Sequence, residues 1–207
     1  MSQRTNEDLL REEYFDLLPE IQRVVLQLEA EIRYHTLPIL HSLKPHEQLV
    51  IKSRVKDCES ALKTLSGESR IFDPDKQYSV LDLPDLAGTR VLVFPNSRLV
   101  EVDTLLLNHY QSWTSKPVKD DAGLDFAPKY FGYCDKVSHK VRGEYQIVPM
   151  LLGLFWEVEH SAMYKFKRVA NSKEMKNYRA EVESALSRFE EGFESFVPTS
   201  SQPRSEI

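Results

Sequence analysis

The stretch DLPDLAGTRVLVF, residues 82–94, reads as a carboxylate-bearing turn that runs through Gly88 into a buried strand. Upstream, LVIKSRV (49–55) has the β-branched content of a second strand, and CESALKTL (58–65) reads as the helix that follows it. Downstream, PNS (95–97) marks the start of another helix, RLVEVDTLLLNHY (98–110). KVSHKV (136–141) and EYQIV (144–148) read as two further strands joined tightly through Arg142-Gly143. Strands alternating with helices predict an α/β (α+β) fold, a mixed sheet of about five strands flanked by helices. Ser112 to Lys129 carries Pro117, Gly123 and Pro128 without clear periodicity and reads as a long, functional loop.

Helices are predicted at both ends. Leu10, Tyr14, Leu17, Ile21, Val24 and Leu28 recur at alternating spacings of four and three, a helical stripe from Asn6 to Tyr34 with a kink at Pro19. A helix laid over the core is the preferred reading, with self-association or partner binding as the other. Leu151 to Lys167 is apolar nearly all round and reads as a buried helix on which Glu157, His160 and Lys165 are scattered, His160 as a satisfied core histidine rather than a catalyst. Met175, Tyr178, Val182, Leu186, Phe189 and Phe193 mark one face of a final helix. The expected divisions are an N-terminal helical segment (1–45), an α/β core (46–170), a C-terminal helix (171–196) and a disordered tail (197–207).

The 207 residues carry a net charge of −5, so no global basic field points to nucleic acid. The apolar run at 150–156 is too short to cross a bilayer, and MSQRTNEDLLREE lacks the apolar core of a signal peptide. Cys58 and Cys134 make neither a metal-ligand spacing nor a disulfide framework, which points to free thiols and a cytoplasmic location.

Chemistry concentrates in four short motifs. In SRVKDCES (53–60), Arg54 and Lys56 project from a strand end and Ser60 sits in the first turn of a helix. Cations beside a helix N-terminus suit polyphosphate, although a basic strand end is also ordinary solvated surface. Asp85 lies at the mouth of its strand, as a Mg²⁺ ligand or as a turn cap. Glu144 and Gln146 share a strand face; if Asp85 and Glu144 converge, they can share a metal or divide the roles of ligand and general base. PKYFGYCDKVSHKV (128–141) places aromatic rings beside a glycine between Lys129 and Lys136, a stacking platform for a base or simple rim packing.

RVKDCES, DLAGTR, PKYFGY, EYQI and WEVEHSAMYK follow one another in the order and with gaps comparable to those of the RelA/SpoT synthetase domain. The chain resembles that family over roughly residues 49–168, and most of all its small single-domain members. The resemblance implies a nucleotidyltransferase-like synthetase fold. It also implies an enzyme that moves the β,γ-pyrophosphoryl group of ATP onto the 3′-hydroxyl of a guanosine nucleotide (GDP or GTP), giving (p)ppGpp. It assigns Arg54, Lys56, Ser60 and Lys63 to the ATP base and phosphates, with Arg90 or Arg98 clamping further. Asp85 and Glu144 would bind Mg²⁺, Glu144 would activate the hydroxyl, and Tyr133 would stack on the acceptor base with Lys129, His139 and Gln146 around it.

The departures fall on the acceptor side. Phe131 stands where the family has Asn, CDKVSH (134–139) sets His139 two positions late, and Val148 follows Gln146-Ile147 where the family has Arg. Two other readings stay open. One is a toxin-like enzyme that pyrophosphorylates the 3′ end of tRNA, or an adenosine nucleotide, and is met by an antitoxin. The other is a degenerate nucleotide-binding module without turnover. Lys116, Lys119, Lys129, Lys136, Lys140 and Arg142 suit a larger acceptor, but Asp120, Asp121, Asp125, Asp135 and Glu144 dilute that patch. The resemblance also implies a homo-oligomer for the small synthetases. None of the six histidines is followed by Asp, which argues against the family's hydrolase chemistry.

Overall fold

The computed structural model describes residues 5–67, 72–73, 76–119, 125–134, 136–163 and 173–196. The chain opens on α1 (Asn6–Ser42), capped by Thr5 and Asp8 in a reciprocal capping box that satisfies the first free N–H groups. β1 (Gln48–Val55) leads into α2 (Cys58–Ser66), and β2 (Ala87–Phe94) is followed by α3 (Leu99–His109). The short strands β3 (Thr114–Ser115), β4 (Val118–Lys119) and β5 (Asp125–Ala127) precede β6 (Lys129–Tyr133), β7 (Arg142–Pro149), α4 (Met150–Met163) and α5 (Lys173–Phe196). Five strands form a mixed sheet in the order β1-β2-β7-β6-β3, in which only β2 and β7 run parallel. This is the α+β sheet flanked by helices that the alternation predicts.

The two faces of the sheet have different partners. Ile51, Val91, Val93, Tyr145 and Ile147 point to one side and pack against the buried stripe of α1, which includes Ile21, Val24, Leu28 and Ile32. The N-terminal stripe therefore lies over the core. On the opposite face, among the described residues, one end is covered by an apolar cluster: Leu92 and Val148 pack with Met150, Ala127, Phe94 and Trp156. The other end of that face is the cleft described below.

Three expectations are corrected. α1 continues through Pro19 and Pro38 to Ser42, eight residues beyond the predicted end, because Ile32, Thr36 and Ile39 keep the buried stripe going. KVSHKV is a turn, and its place in the sheet is taken by PKYFGY as β6. Ser138 explains the turn: its hydroxyl accepts from the Lys140 and Val141 amides and donates to Glu20 of α1 at 2.5 Å. α4 is not buried all round, since Leu154 and Val158 are exposed. On α5 the predicted stripe is only partly covered, with Tyr178 and Phe189 exposed and Glu190 buried. The tail (197–207) and Lys165 lie outside the described residues, as does the side chain of His160.

His35 of α1 stacks on His109 of α3, with ring centroids 3.4 Å apart, and Tyr34 meets its edge. Burial first, and His109 second, pushes the His35 pKa down, with Lys136 in the same direction and Glu31 opposed. The folded state therefore resists a proton that the unfolded chain accepts near pH ~6.5, so this contribution to stability is lost as pH falls below that value. Denaturation midpoints measured across this range should decline toward acid, and His35→Gln should flatten the decline. An equally steep decline in the variant would remove His35 from this role.

Candidate active site

β-strand side chains alternate, so Lys52 and Arg54 of β1 share a face. The register continues that face across the sheet in two rows. Arg54 stands opposite Gly88, Gly88 opposite Glu144, and Glu144 opposite Phe131. Lys52 stands opposite Arg90, Arg90 opposite Gln146, and Gln146 opposite Lys129. Arg142 and Tyr133 form the next pair outward on the same face. Glycine at 88 leaves room for the neighbouring side chain: Arg54 Cγ lies 3.6 Å from where a Cβ would stand. Beyond that apolar cluster the polar end forms a cleft of about 290 Å³ lined by Lys52, Arg54, Arg90, Glu144, Gln146 and, from α4, Glu157.

Glu144 is the buried carboxylate of this cleft, only 3% exposed. Gln146 Nε2 donates to its Oε1 at 2.5 Å. Lys129 Nζ lies 2.9 Å from Oε2, close enough for an ion pair but out of line for a hydrogen bond, so Oε2 is buried without a hydrogen-bond partner among the described residues. Lys129 also lies over the Phe131 ring, 5.2 Å from its centroid. Burial and the neighbouring Arg54 charge push the Arg90 pKa down, against Glu157 and Glu144, and an arginine so placed still keeps its proton.

The other expected residues are dispersed around this centre. Lys56 Nζ grips Asp85 Oδ2 at 2.7 Å beside the start of β2, while Tyr14 of α1 donates to the Lys56 carbonyl at 2.8 Å. Neither Lys56 nor Asp85 lines the cleft. Ser60 and Lys63 lie on α2, whose N-terminus is already capped by Asp57 accepting from the Ser60 amide at 2.9 Å. Burial raises the Asp57 carboxyl, but the Ser60 hydroxyl and amide outweigh it and hold it below the ordinary range. Tyr133 is half-exposed at the end of β6, and His139 sits in the turn before β7. Arg98 stands apart, past the far end of β2, bonded to Glu47 at 2.8 Å and to Glu101 at 2.6 Å. Sequence reasoning missed Lys52, and it noted Glu157 only as one of the polar residues scattered on α4, without a role. Lys52 carried a signal, lying two residues before Arg54 on the same strand face; nothing in the local pattern of Glu157 said that it would reach β1 and β2.

The aromatic floor under β6 and β7 explains the glycine of PKYFGY. Tyr110, Trp113 and Tyr130 pack round Tyr145, and a Cβ on Gly132 would fall 2.4 Å from the Trp113 indole. Gly132→Ala should therefore cost about 1–3 kcal/mol of stability, as overpacking does. Gly88→Ala, which meets ordinary contacts, should cost less. A thermal melt of each variant checks the order, and equal melting temperatures would overturn it.

The mixed five-stranded sheet and its flanking helices share the fold of solved small alarmone synthetases. The small alarmone synthetase 1 of Bacillus subtilis bound to its product pppGpp superposes with a TM-score of 0.67 at 18% identity, over 89% of this chain and 96% of that one. The same protein bound to AMPCPP gives 0.64 at 18% identity, over 89% and 95%. A GTP pyrophosphokinase family protein from Streptococcus pneumoniae gives 0.63 at 18% identity, over 88% and 92%. No protein-family model and no curated protein matches the sequence. No helix among the described residues is long and apolar enough to cross a membrane.

Proposed function

We propose that the protein is an ATP-dependent pyrophosphotransferase that transfers the β,γ-pyrophosphoryl group of ATP to the 3′-hydroxyl of GDP or GTP, making (p)ppGpp. The observation that carries this reading is Glu144: a buried carboxylate, ion-paired with Lys129 and hydrogen-bonded by Gln146, on the same sheet face as Arg54, Arg90 and the Tyr133 ring. Transfer of this kind needs cations on phosphates and an aligned nucleophile more than covalent chemistry. The AMPCPP and pppGpp complexes of the Bacillus subtilis neighbour agree with ATP as donor and a guanosine nucleotide as acceptor.

In this reading Arg54 and Arg90 hold the donor in the cleft, with Lys56, Ser60 and Lys63 toward its outer end. Glu144 takes the proton of the acceptor hydroxyl, held in place by Gln146 and Lys129. Tyr133 stacks on the acceptor base. Mg²⁺ would be held by Glu144, now paired with Lys129, and by Asp85, now paired with Lys56 beside the cleft; together they would offer the one or two carboxylates that this ion takes alongside substrate phosphates. Bound there, Mg²⁺ would neutralise the charge that builds up on the transferred phosphates. Phe131 beside Tyr133 also favours a second acceptor class. Two neighbouring rings on one strand face suit stacked bases, as at the 3′ end of a tRNA.

The assay offers ATP labelled in its γ-phosphate, with Mg²⁺, to GDP, GTP, ATP and bulk tRNA in parallel. Label on GDP or GTP is expected; label on tRNA would shift the function to the second class, and no transfer from protein that binds ATP would leave a binding module. Glu144→Ala should lower kcat by about 10²–10⁴-fold in a protein that still melts cooperatively. Unchanged turnover would remove Glu144 from the chemistry. Tyr133→Ala should raise the acceptor KM, since stacking contributes on the order of 1–3 kcal/mol, and leave the KM for ATP in place. An unchanged acceptor KM would exclude the stacking role.

A further inference from the structure

Lys52 and Arg90 stand directly opposite each other in the β1–β2 register, an arrangement that is unfavourable for like charges. Arg54 adds a third cation to the same face and has no ion-pair partner among the described residues. The charge that relieves this repulsion comes from α4. Glu157 Oε2 lies 2.5 Å from Lys52 Nζ, and Oε1 lies 3.7 Å from Arg90 Nη1. The carboxylate thus bridges the cationic pair from within the cleft. Arg90 Nε is buried without a hydrogen-bond partner, so the guanidinium keeps donor capacity that Glu157 does not use.

We propose that Glu157 is an internal counter-anion that holds the seat of a ligand phosphate. A phosphate that enters the cleft to reach Lys52 and Arg90 must displace it. Glu157 thereby weakens the binding of every phosphate ligand, and a polyphosphate, with several charges to offer, best overcomes the competition. The carboxylate also keeps the ligand-free cleft close to charge balance, with Glu144 the other acidic group in the lining. This inference rests on the reading of the cleft as a polyphosphate site and adds the residue that sets its affinity.

The test compares wild type with Glu157→Gln by calorimetric titration with inorganic tripolyphosphate at low and moderate salt. The variant should bind about 1.5- to fivefold tighter, the range of a partly exposed ion pair, and lose affinity more steeply as salt rises. Without ligand it should melt lower than wild type, because Lys52 and Arg90 lose their shared counter-charge, and tripolyphosphate should raise its melting temperature by more. A lower melt with unchanged or weaker tripolyphosphate binding would make Glu157 a structural strut or a direct ligand contact and overturn the proposal. If Glu157→Gln does not fold, Glu157→Asp, whose shorter arm loosens the bridge, should bind tighter than wild type; equal or weaker binding overturns the proposal as well. Absence of tripolyphosphate binding by wild type and variant alike would defeat the polyphosphate reading itself. Binding by wild type with no gain in the variant defeats only the role of Glu157.

Discussion

The site depends on the pairing register of β1, β2, β7 and β6. Side chains on a strand alternate between faces, so slipping β2 or β7 by one residue would exchange every inward and outward position. In the observed register Arg54, Gly88 and Glu144 align across three strands, and so do Lys52, Arg90 and Gln146. A one-residue slip would turn Glu144 and Arg90 toward α1 and leave Tyr145 and Val91 facing water. The apolar residues on the α1 side thus hold the polar residues on the cleft side in line.

α1 does more than cover the sheet. Tyr14 donates to the carbonyl of Lys56, Glu13 accepts from Ser79 Oγ and the Val80 amide, and Glu20 accepts from Ser138. These contacts fasten the strand end that carries Lys56, the turn that leads to Asp85 and the turn between β6 and β7. One long helix braces three connections beside the strands that line the cleft, which helps their geometry to hold without ligand. Arg54 apart, the charges of the cleft are compensated. Lys52 and Arg90 share Glu157, while Glu144 is met by Lys129 and Gln146. Compensation of this kind keeps groups charged in a partly buried place, where an isolated ion would be costly.

The reading of the last strands shows where local pattern fails. KVSHKV alternates as a strand should, yet it is a turn because one serine side chain satisfies two backbone amides and is itself held by Glu20. PKYFGY resembles a loop, with a glycine and a proline among aromatic residues, yet it is β6. Its glycine gives way to the Trp113 ring, and Tyr130 stacks on Tyr145 with centroids 4.7 Å apart. In both segments contacts from distant residues override local preference.

By itself the sequence determined most of the elements and the polar residues on them: the strands around Ile51, Val91 and Ile147, the helices after them, and Arg54, Arg90, Glu144 and Gln146 as polar residues on otherwise apolar strands. Period and composition suffice there, because each element's buried face is written in its own residues. Only the tertiary structure decided which of these residues meet. It joined Arg54, Arg90, Glu144 and Gln146 in one cleft, left Asp85 with Lys56 beside it, sent Arg98 to Glu47 beyond the far end of β2, and brought Glu157 across from α4. The reason is physical: register and helix docking are set by packing between segments far apart in the chain, and no single segment records the partner it will face.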